Sequence, residues 1–133
     1  MQGTCQCGQI RFETGRVLQV VNCHCGLCRG MNGAAFSSYA ITKEKDFYLH
    51  AGTEKLNVFQ ATERAAKHFC HACGTPLYNT NPVAYPGLRM VYLGTLEGHQ
   101  NLPQGVHIFC ADRLTWTDEI AKAVRFDGAP EVN

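Results

Sequence analysis

The chain has 133 residues, of which 45% are hydrophobic and 17% charged, and this composition is that of a globular domain rather than a disordered segment. The formal net charge of +1 and the absence of long basic runs give no support for binding nucleic acid or a membrane surface. No apolar run approaches the ~18 residues of a membrane span, and the first residues lack the pattern of a secretory signal, so we expect a cytoplasmic protein.

Short segments rich in Val, Ile, Phe and Tyr alternate with Gly, Pro and Asn along the chain, a pattern typical of short β-strands joined by turns. Helical signal is limited to residues 62–66, which predict a turn, and 117–124, which predict a short helix. We therefore predict a mainly β protein with little helix. In chain order, the predicted strands are residues 9–13, 17–22, 34–40, 47–51, 56–60, 66–69, 77–78, 89–93 and 106–109.

Two further segments are predicted to be irregular. Residues 79–87 (NTNPVAYPG) form a loop by composition, and such a loop can border a site. Residues 127–133 are predicted to be a surface tail. No internal boundary is indicated, so we predict a single domain spanning residues 1–133. A core of this size gains from reinforcement, and a bound metal is the evident candidate.

The cysteines are the most informative feature of the sequence. In a chain without a secretory signal, clustered cysteines indicate metal ligands more than disulfides. Of the eight cysteines, seven fall in three groups before position 74, and Cys110 stands alone. The groups are Cys5 with Cys7, then Cys23, Cys25 and Cys28, then Cys70 with Cys73.

The two cysteine pairs predict a closed zinc site of four thiolates. Zinc prefers four tetrahedral ligands, often delivered in pairs by tight turns. The spacing of Cys70 and Cys73 lets both sulfurs point at one ion, and Gly74 can supply the positive φ that such a turn needs. Cys5 and Cys7 share a face if their segment is extended. A redox dithiol is the less favoured alternative, because no βαβ pattern surrounds either pair.

The middle group supplies only three thiols. Cys23 and Cys25 share a face of an extended segment, from which His24 would point away, and Cys28 follows after two intervening residues. Three protein ligands with an open position are typical of a catalytic zinc site. Alternatively, Cys110 could complete a closed site, or it could be a buried core thiol. Spacing alone leaves these alternatives open.

Single residues near this group carry weaker signals. Arg29 can balance thiolate charge or hold a substrate carboxylate, and the alternative is a solvated side chain. His24 is the nearest titratable candidate for proton transfer, and its alternative role is to hydrogen-bond the backbone of the turn. Trp116 is expected in the core. The sequence contains no phosphate-binding loop, dinucleotide-binding fingerprint or nucleophilic-serine motif.

Three cysteine motifs follow one another in a specific order. They are C-x-C-G at residues 5–8, N-C-H-C-x-x-C at residues 22–28 and F-C-x-x-C-G at residues 69–74. In this order they resemble the glutathione-dependent formaldehyde-activating enzyme (GFA) family, whose domain also occurs in centromere protein V. The segments 75–77, 93–96 and 107–109 and Trp116 also follow in the family's order, so the resemblance covers residues 3 to 130 approximately.

The resemblance implies a β-tent fold built of small antiparallel sheets around zinc knuckles, shared with a zinc-binding chaperone of small GTPases. It also implies two zinc ions per chain, one structural and one catalytic. The structural ligands would be Cys5, Cys7, Cys70 and Cys73, and the ligands of the second, open site would be Cys23, Cys25 and Cys28.

The family's reaction is the addition of the glutathione thiol to formaldehyde, giving S-hydroxymethylglutathione. From the resemblance we therefore expect a zinc-dependent carbon–sulfur lyase acting on a small thiol adduct, with glutathione as the nominal thiol partner. One alternative is a non-catalytic, zinc-stabilised module that binds glutathione or a partner. Another is an enzyme of the same fold that acts on a different electrophile. Fold and metal ligands transfer within a family more readily than a substrate does.

Overall fold

The chain forms two β-sheets and one short α-helix within residues 1–131, which are the residues that this computed structural model describes. The mainly β class predicted from the sequence is confirmed. The helix α1 spans Gly26–Asn32, and the longest 3-10 segment spans Thr115–Lys122. The strands are β1 (Gln2–Thr4), β2 (Arg11–Thr14), β3 (Gln19–Cys23), β4 (Ser37–Lys43), β5 (Phe47–Ala51), β6 (Leu56–Gln60), β7 (Ala66–Cys70), β8 (Pro76–Thr80), β9 (Leu88–Tyr92) and β10 (Val106–Ile108).

A core of aromatic and aliphatic side chains is shared by the two sheets. Phe12 on β2 is fully buried and stacks on Phe47 of β5, with ring centroids 5.0 Å apart. The guanidinium carbon of Arg89 on β9 lies 4.4 Å from the ring centroids of both Phe47 and Tyr78, so this one cation contacts a ring of each sheet. The backbone of Gly3 on β1 lies directly against the Phe12 ring. A Cβ at position 3 would come within 2.2 Å of that ring, so the position requires glycine.

The small sheet has the order β1-β2-β5, and the large sheet has the order β10-β3-β4-β9-β8-β7-β6. All pairs between these strands are antiparallel except β10 with β3, which are parallel and bring Ile108 opposite Cys23. The segment after β9 therefore returns to the end of β3 where the middle cysteine group begins. The turn between β7 and β8 carries Cys70 and Cys73.

Most strand predictions are confirmed, two of them with the same bounds, at residues 47–51 and 56–60. The sequence did not predict β1 or α1, and the strand predicted at 34–40 begins later, at Ser37. The short helix predicted at 117–124 is a 3-10 segment at Thr115–Lys122. The expectation that Trp116 lies in the core is wrong, since its side chain is 55% exposed.

No helix within residues 1–131 has the length and apolar character needed to cross a membrane. Residues 132 and 133, which end the predicted tail and the predicted single domain, lie outside the described part of the chain.

Candidate metal centres and cavity

The first cysteine group brings four sulfurs together between the two sheets. The Sγ atoms of Cys5, Cys7, Cys70 and Cys73 all lie within 4.8 Å of one another. The Cys5 and Cys7 sulfurs are 3.4 Å apart, and those of Cys7 and Cys70 are 3.9 Å apart. Zinc bound by four thiolates at ~2.3 Å in a tetrahedron requires sulfur–sulfur distances of about 3.8 Å. The four thiols therefore fit zinc in both chemistry and spacing.

Two tight turns position these sulfurs. The N–H of Gly8 donates to the Cys5 carbonyl at 2.9 Å, and the N–H of Gly74 donates to the Cys70 carbonyl at 2.7 Å. Gly8 and Gly74 have φ values of 74° and 76°, so the positive φ predicted for Gly74 is confirmed. Cys5 and Cys7 converge through a turn rather than through the extended segment that we predicted, since residues 6–8 leave strand geometry after β1.

Hydrogen bonds favour the thiolate form at two of these cysteines. The hydroxyl and backbone of Thr75 lower the pKa of Cys73 to about 6, and its Oγ1 lies 3.1 Å from the Cys73 sulfur. Burial raises the pKa of Cys5, but hydrogen bonds from the Ile10 N–H and from neighbouring thiols outweigh burial and lower it. Thiolates are the form in which cysteine binds a metal.

The second cysteine group lies where β3 passes into α1. The sulfurs of Cys23, Cys25 and Cys28 lie within 4.8 Å of one another. Cys23 ends β3, Cys25 is the N-cap residue of α1, and Cys28 belongs to the first turn of that helix. The backbone N–H of Cys28 donates to the Cys25 sulfur at 3.3 Å, so Cys25 satisfies a helix N–H as Ser or Asp commonly does. The helix start thus gathers the three thiols.

A fourth protein ligand is missing from this group in the described chain. No further ligand atom from a Cys, His, Asp or Glu of residues 1–131 lies within 4.8 Å of all three sulfurs. Cys110 begins a 3-10 segment beyond β10 and does not belong to the group. The geometry therefore favours three thiols with an open position over a site closed by Cys110.

A cavity of about 530 Å³ opens beside the three thiols, and Cys23, Cys25 and Cys28 all line it. The loop predicted at residues 79–87 begins only at Asn81, because Asn79 and Thr80 belong to β8, and it borders the cavity through Asn81, Ala84 and Tyr85. Most of the remaining wall is aliphatic or aromatic, and no residue that lines it is Asp, Glu, Lys, Arg or His. The cavity therefore has an apolar, uncharged wall with three thiols along it.

Buried polar side chains of the large sheet support the second group. The hydroxyl of Tyr39 on β4 donates to the Cys28 sulfur at 3.3 Å, and the amide of Asn79 on β8 donates to the Tyr39 oxygen at 3.0 Å. The hydroxyl of Tyr92 on β9 donates to the side-chain oxygen Oδ1 of Asn79 at 3.2 Å. Burial and, next, the neighbouring Tyr92 raise the pKa of Tyr39. Tyr39 therefore stays protonated and keeps the hydroxyl hydrogen that it donates to Cys28. These hydrogen bonds fix the orientation of the Cys28 sulfur.

Sequence reasoning missed Tyr39, Asn79 and Tyr92. The available signal was weak, because a tyrosine or asparagine within a strand is usually explained by packing. These three side chains come together because β4 pairs with β9 and β9 pairs with β8. Residue spacing does not predict which strands pair.

His24 and Arg29 face away from the cavity. His24 is buried, its Nε2 lies 2.8 Å from Nδ1 of His107, and its ring packs on Phe36 with centroids 5.0 Å apart. Burial and the neighbouring His107 lower the pKa of His24. The guanidinium of Arg29 donates to the backbone carbonyls of His24 and Asp112. His24 therefore bonds the His107 side chain and not the backbone of the turn, and Arg29 joins α1 to the segment after β10.

The geometry defines a cysteine-rich β protein with two groups of thiols suited to zinc. The sequence model of the glutathione-dependent formaldehyde-activating enzyme family matches residues 1–112. The chain belongs to this family. A protein of Rhodobacter sphaeroides, whose crystal structure was determined as a Northeast Structural Genomics target, has the same fold with a TM-score of 0.66. The two chains are 25% identical, and the match covers 80% of this chain and 99% of that one.

We expect Cys70→Ser to prevent stable folding. Structural zinc contributes ~10 kcal/mol or more to the folding of small zinc domains, and Cys70 is fully buried among its sulfur partners. Thermal unfolding followed by circular dichroism should lose its cooperative transition. Cys110→Ser is the matched control, because it makes the same exchange outside both groups and should unfold as the wild type does. A wild-type transition in Cys70→Ser would contradict a structural role for the first group.

Metal content after Cys110→Ser tests the open position of the second group. Because Cys110 lies outside the three thiols, we expect elemental analysis to find as many zinc ions per chain as in the wild type. Loss of one zinc in this variant would indicate that Cys110 closes the second site.

Tyr39→Phe should weaken metal binding at the second group only. The change removes the hydroxyl that donates to the Cys28 sulfur, and loss of such a supporting hydrogen bond typically costs ~10–100-fold in metal affinity. Competition with a chromogenic chelator would measure both sites. Tyr48→Phe is the control, because Tyr48 is exposed on β5 and should leave both affinities unchanged. Equal weakening in the two variants would contradict the role of Tyr39.

Proposed function

We propose that this chain is a zinc-dependent carbon–sulfur lyase that acts on a small thiol adduct, with glutathione and formaldehyde as the nominal pair. The observation that carries the proposal is the convergence of three cysteine sulfurs on the wall of a cavity without a fourth protein ligand. Family membership supports glutathione-dependent formaldehyde activation in general.

In this proposal, Cys5, Cys7, Cys70 and Cys73 hold a structural zinc, and Cys23, Cys25 and Cys28 hold the second zinc. A zinc ion at the second site would supply Lewis acidity, lowering the pKa of an incoming thiol or polarising a carbonyl. The reaction forms a bond between the thiol sulfur and the formaldehyde carbon, and the thiol proton ends on the former carbonyl oxygen. The lyase direction breaks that carbon–sulfur bond and returns the thiol and the aldehyde.

The chain's own residues position the thiols and form an apolar surface beside them. The Cys28 N–H and the Tyr39 hydroxyl fix the Cys25 and Cys28 sulfurs at their positions. Most of the cavity wall is aliphatic or aromatic, so the reacting sulfur and carbon would meet few polar side chains there. Asn81 also lines the cavity, and its side-chain amide can donate to a hydroxyl or carbonyl oxygen of the adduct.

A non-catalytic binding module is the second candidate, and one observation favours it. The cavity wall has no Asp, Glu, Lys, Arg or His side chain that could transfer a proton during the reaction. An exchange assay separates the two candidates. If NMR finds that glutathione and formaldehyde exchange no faster with the two-zinc protein than in buffer, the domain binds its ligand without catalysing this reaction.

Cys25→Ser should preserve the fold but remove the second metal and the exchange activity. Serine is a favoured N-cap residue, so α1 keeps its capping oxygen while the group loses a thiolate. We expect thermal unfolding close to that of the wild type, one zinc ion per chain by elemental analysis, and NMR exchange at the spontaneous rate. If Cys25→Ser unfolds as readily as Cys70→Ser, the division between a structural and a catalytic group is wrong.

A further inference from the structure

We propose that the cavity beside Cys23, Cys25 and Cys28 is built for a thiol or thiol adduct that carries an apolar, uncharged organic group. The sulfur would approach the three cysteines and the organic group would fill the cavity. This inference rests on the proposed function: it keeps the thiol chemistry of that site and replaces the nominal glutathione by a thiol with an apolar organic group. Size, charge and one strained aromatic residue support it.

The cavity is larger than the reacting hydroxymethyl group. Its volume of about 530 Å³ lies within the range typical of sites for drug-sized ligands. A hydroxymethyl group has only two heavy atoms, and a single water molecule occupies about 30 Å³ in the liquid. The cavity therefore has room for the organic group of the thiol beside the reacting atoms.

The charge of the wall does not suit glutathione. At neutral pH glutathione carries two carboxylates and one ammonium, and burial of unpaired charge is strongly unfavourable. Apart from the three thiols, the wall has no Asp, Glu, Lys, Arg or His, and two of the basic side chains near it have other partners. Arg29 donates to the carbonyls of His24 and Asp112, and the ammonium of Lys67 donates to the Met31 carbonyl and to Asn32. An uncharged organic group meets no such penalty.

The rim of the cavity is also apolar. Leu27, Tyr85 and Phe109 line the cavity, yet 43%, 40% and 54% of their respective surfaces are exposed. Large apolar side chains that stay exposed around a concave site commonly mark a binding site, because a ligand removes them from water. A ligand with an apolar group would cover these three side chains on entering.

Phe109 has a backbone conformation that is unfavourable for phenylalanine. Its φ of 56° lies in the left-handed region, and it is the one non-glycine residue with positive φ in the described part of the chain. Its position is fixed by the preceding residue, since Ile108 pairs with Cys23 and its carbonyl accepts the His24 N–H at 3.0 Å. Strain of this kind is retained mainly at functional sites. The same strands that hold the thiols therefore hold an aromatic ring at the cavity mouth.

Calorimetric titration of the zinc-loaded protein under anaerobic conditions tests the proposal. The probes are phenylmethanethiol, glutathione and 2-mercaptoethanol, which differ in apolar group and charge. We expect phenylmethanethiol to bind about tenfold or more tightly than either of the others, because its ring would be removed from water in the cavity. Equal or tighter binding of glutathione would overturn the proposed substrate class while leaving the thiol-binding function intact. If none of the thiols binds, the proposed function itself fails.

Phe109→Gly isolates the contribution of the ring. Glycine adopts the left-handed conformation without strain, so thermal unfolding should occur at or above the wild-type temperature. We expect the affinity for phenylmethanethiol to fall about tenfold and the affinity for 2-mercaptoethanol to stay unchanged. Phe109→Asn provides a second variant, because asparagine also tolerates this conformation.

Phe126→Gly is the matched control, since Phe126 is exposed in the C-terminal segment and does not line the cavity. It should bind all three thiols as the wild type does. Unchanged phenylmethanethiol affinity in both Phe109 variants, or an equal loss in Phe126→Gly, would overturn the proposal.

Discussion

The convergence of Cys5 and Cys7 on Cys70 and Cys73 is the constraint on which the rest of the structure depends. Cys7 and Cys70 are separated by 63 residues in the sequence, and their sulfurs lie 3.9 Å apart. One pair follows β1 of the small sheet, and the other lies between β7 and β8 of the large sheet. Bringing the pairs together sets the two sheets against each other and encloses the shared core, including Phe12.

The second group depends on this scaffold but is built differently. Cys23, Cys25 and Cys28 come from one continuous segment, so local structure gathers them and the large sheet orients them. Tyr39 reaches the Cys28 sulfur from β4, the strand next to β3, and Asn79 holds Tyr39 from across the sheet. The strands therefore hold the thiol group, and Tyr39 and Asn79 also form part of the cavity wall. The first group joins the two sheets, whereas the second group adjoins a cavity.

The sequence could predict what depends on neighbours in the chain, and it missed what depends on strand pairing. The grouping of the two pairs followed from spacing, whereas the exclusion of Cys110 from the second group followed from the family resemblance. The positive φ of Gly74 followed from the turn that the spacing of Cys70 and Cys73 needs. Helix α1 was missed because Cys25 caps it in place of a more common capping residue such as Ser or Asp. The helix is also only seven residues long, so its sequence pattern is weak. The Asn79 to Tyr39 hydrogen bond joins residues 40 positions apart, so only the sheet order brings them together.

The parallel pairing of β10 with β3 has a consequence for the order in which the protein is assembled during synthesis. Every residue of the first cysteine group has been made by position 73, together with all strands of the small sheet. Phe109 and its anchor Ile108 emerge later, and only then does β10 add to the edge of the large sheet. Because the chain is made from its N-terminus, all four thiols of the first group exist before the residues that form the cavity mouth. The wall of the cavity can be completed only when β10 has been made.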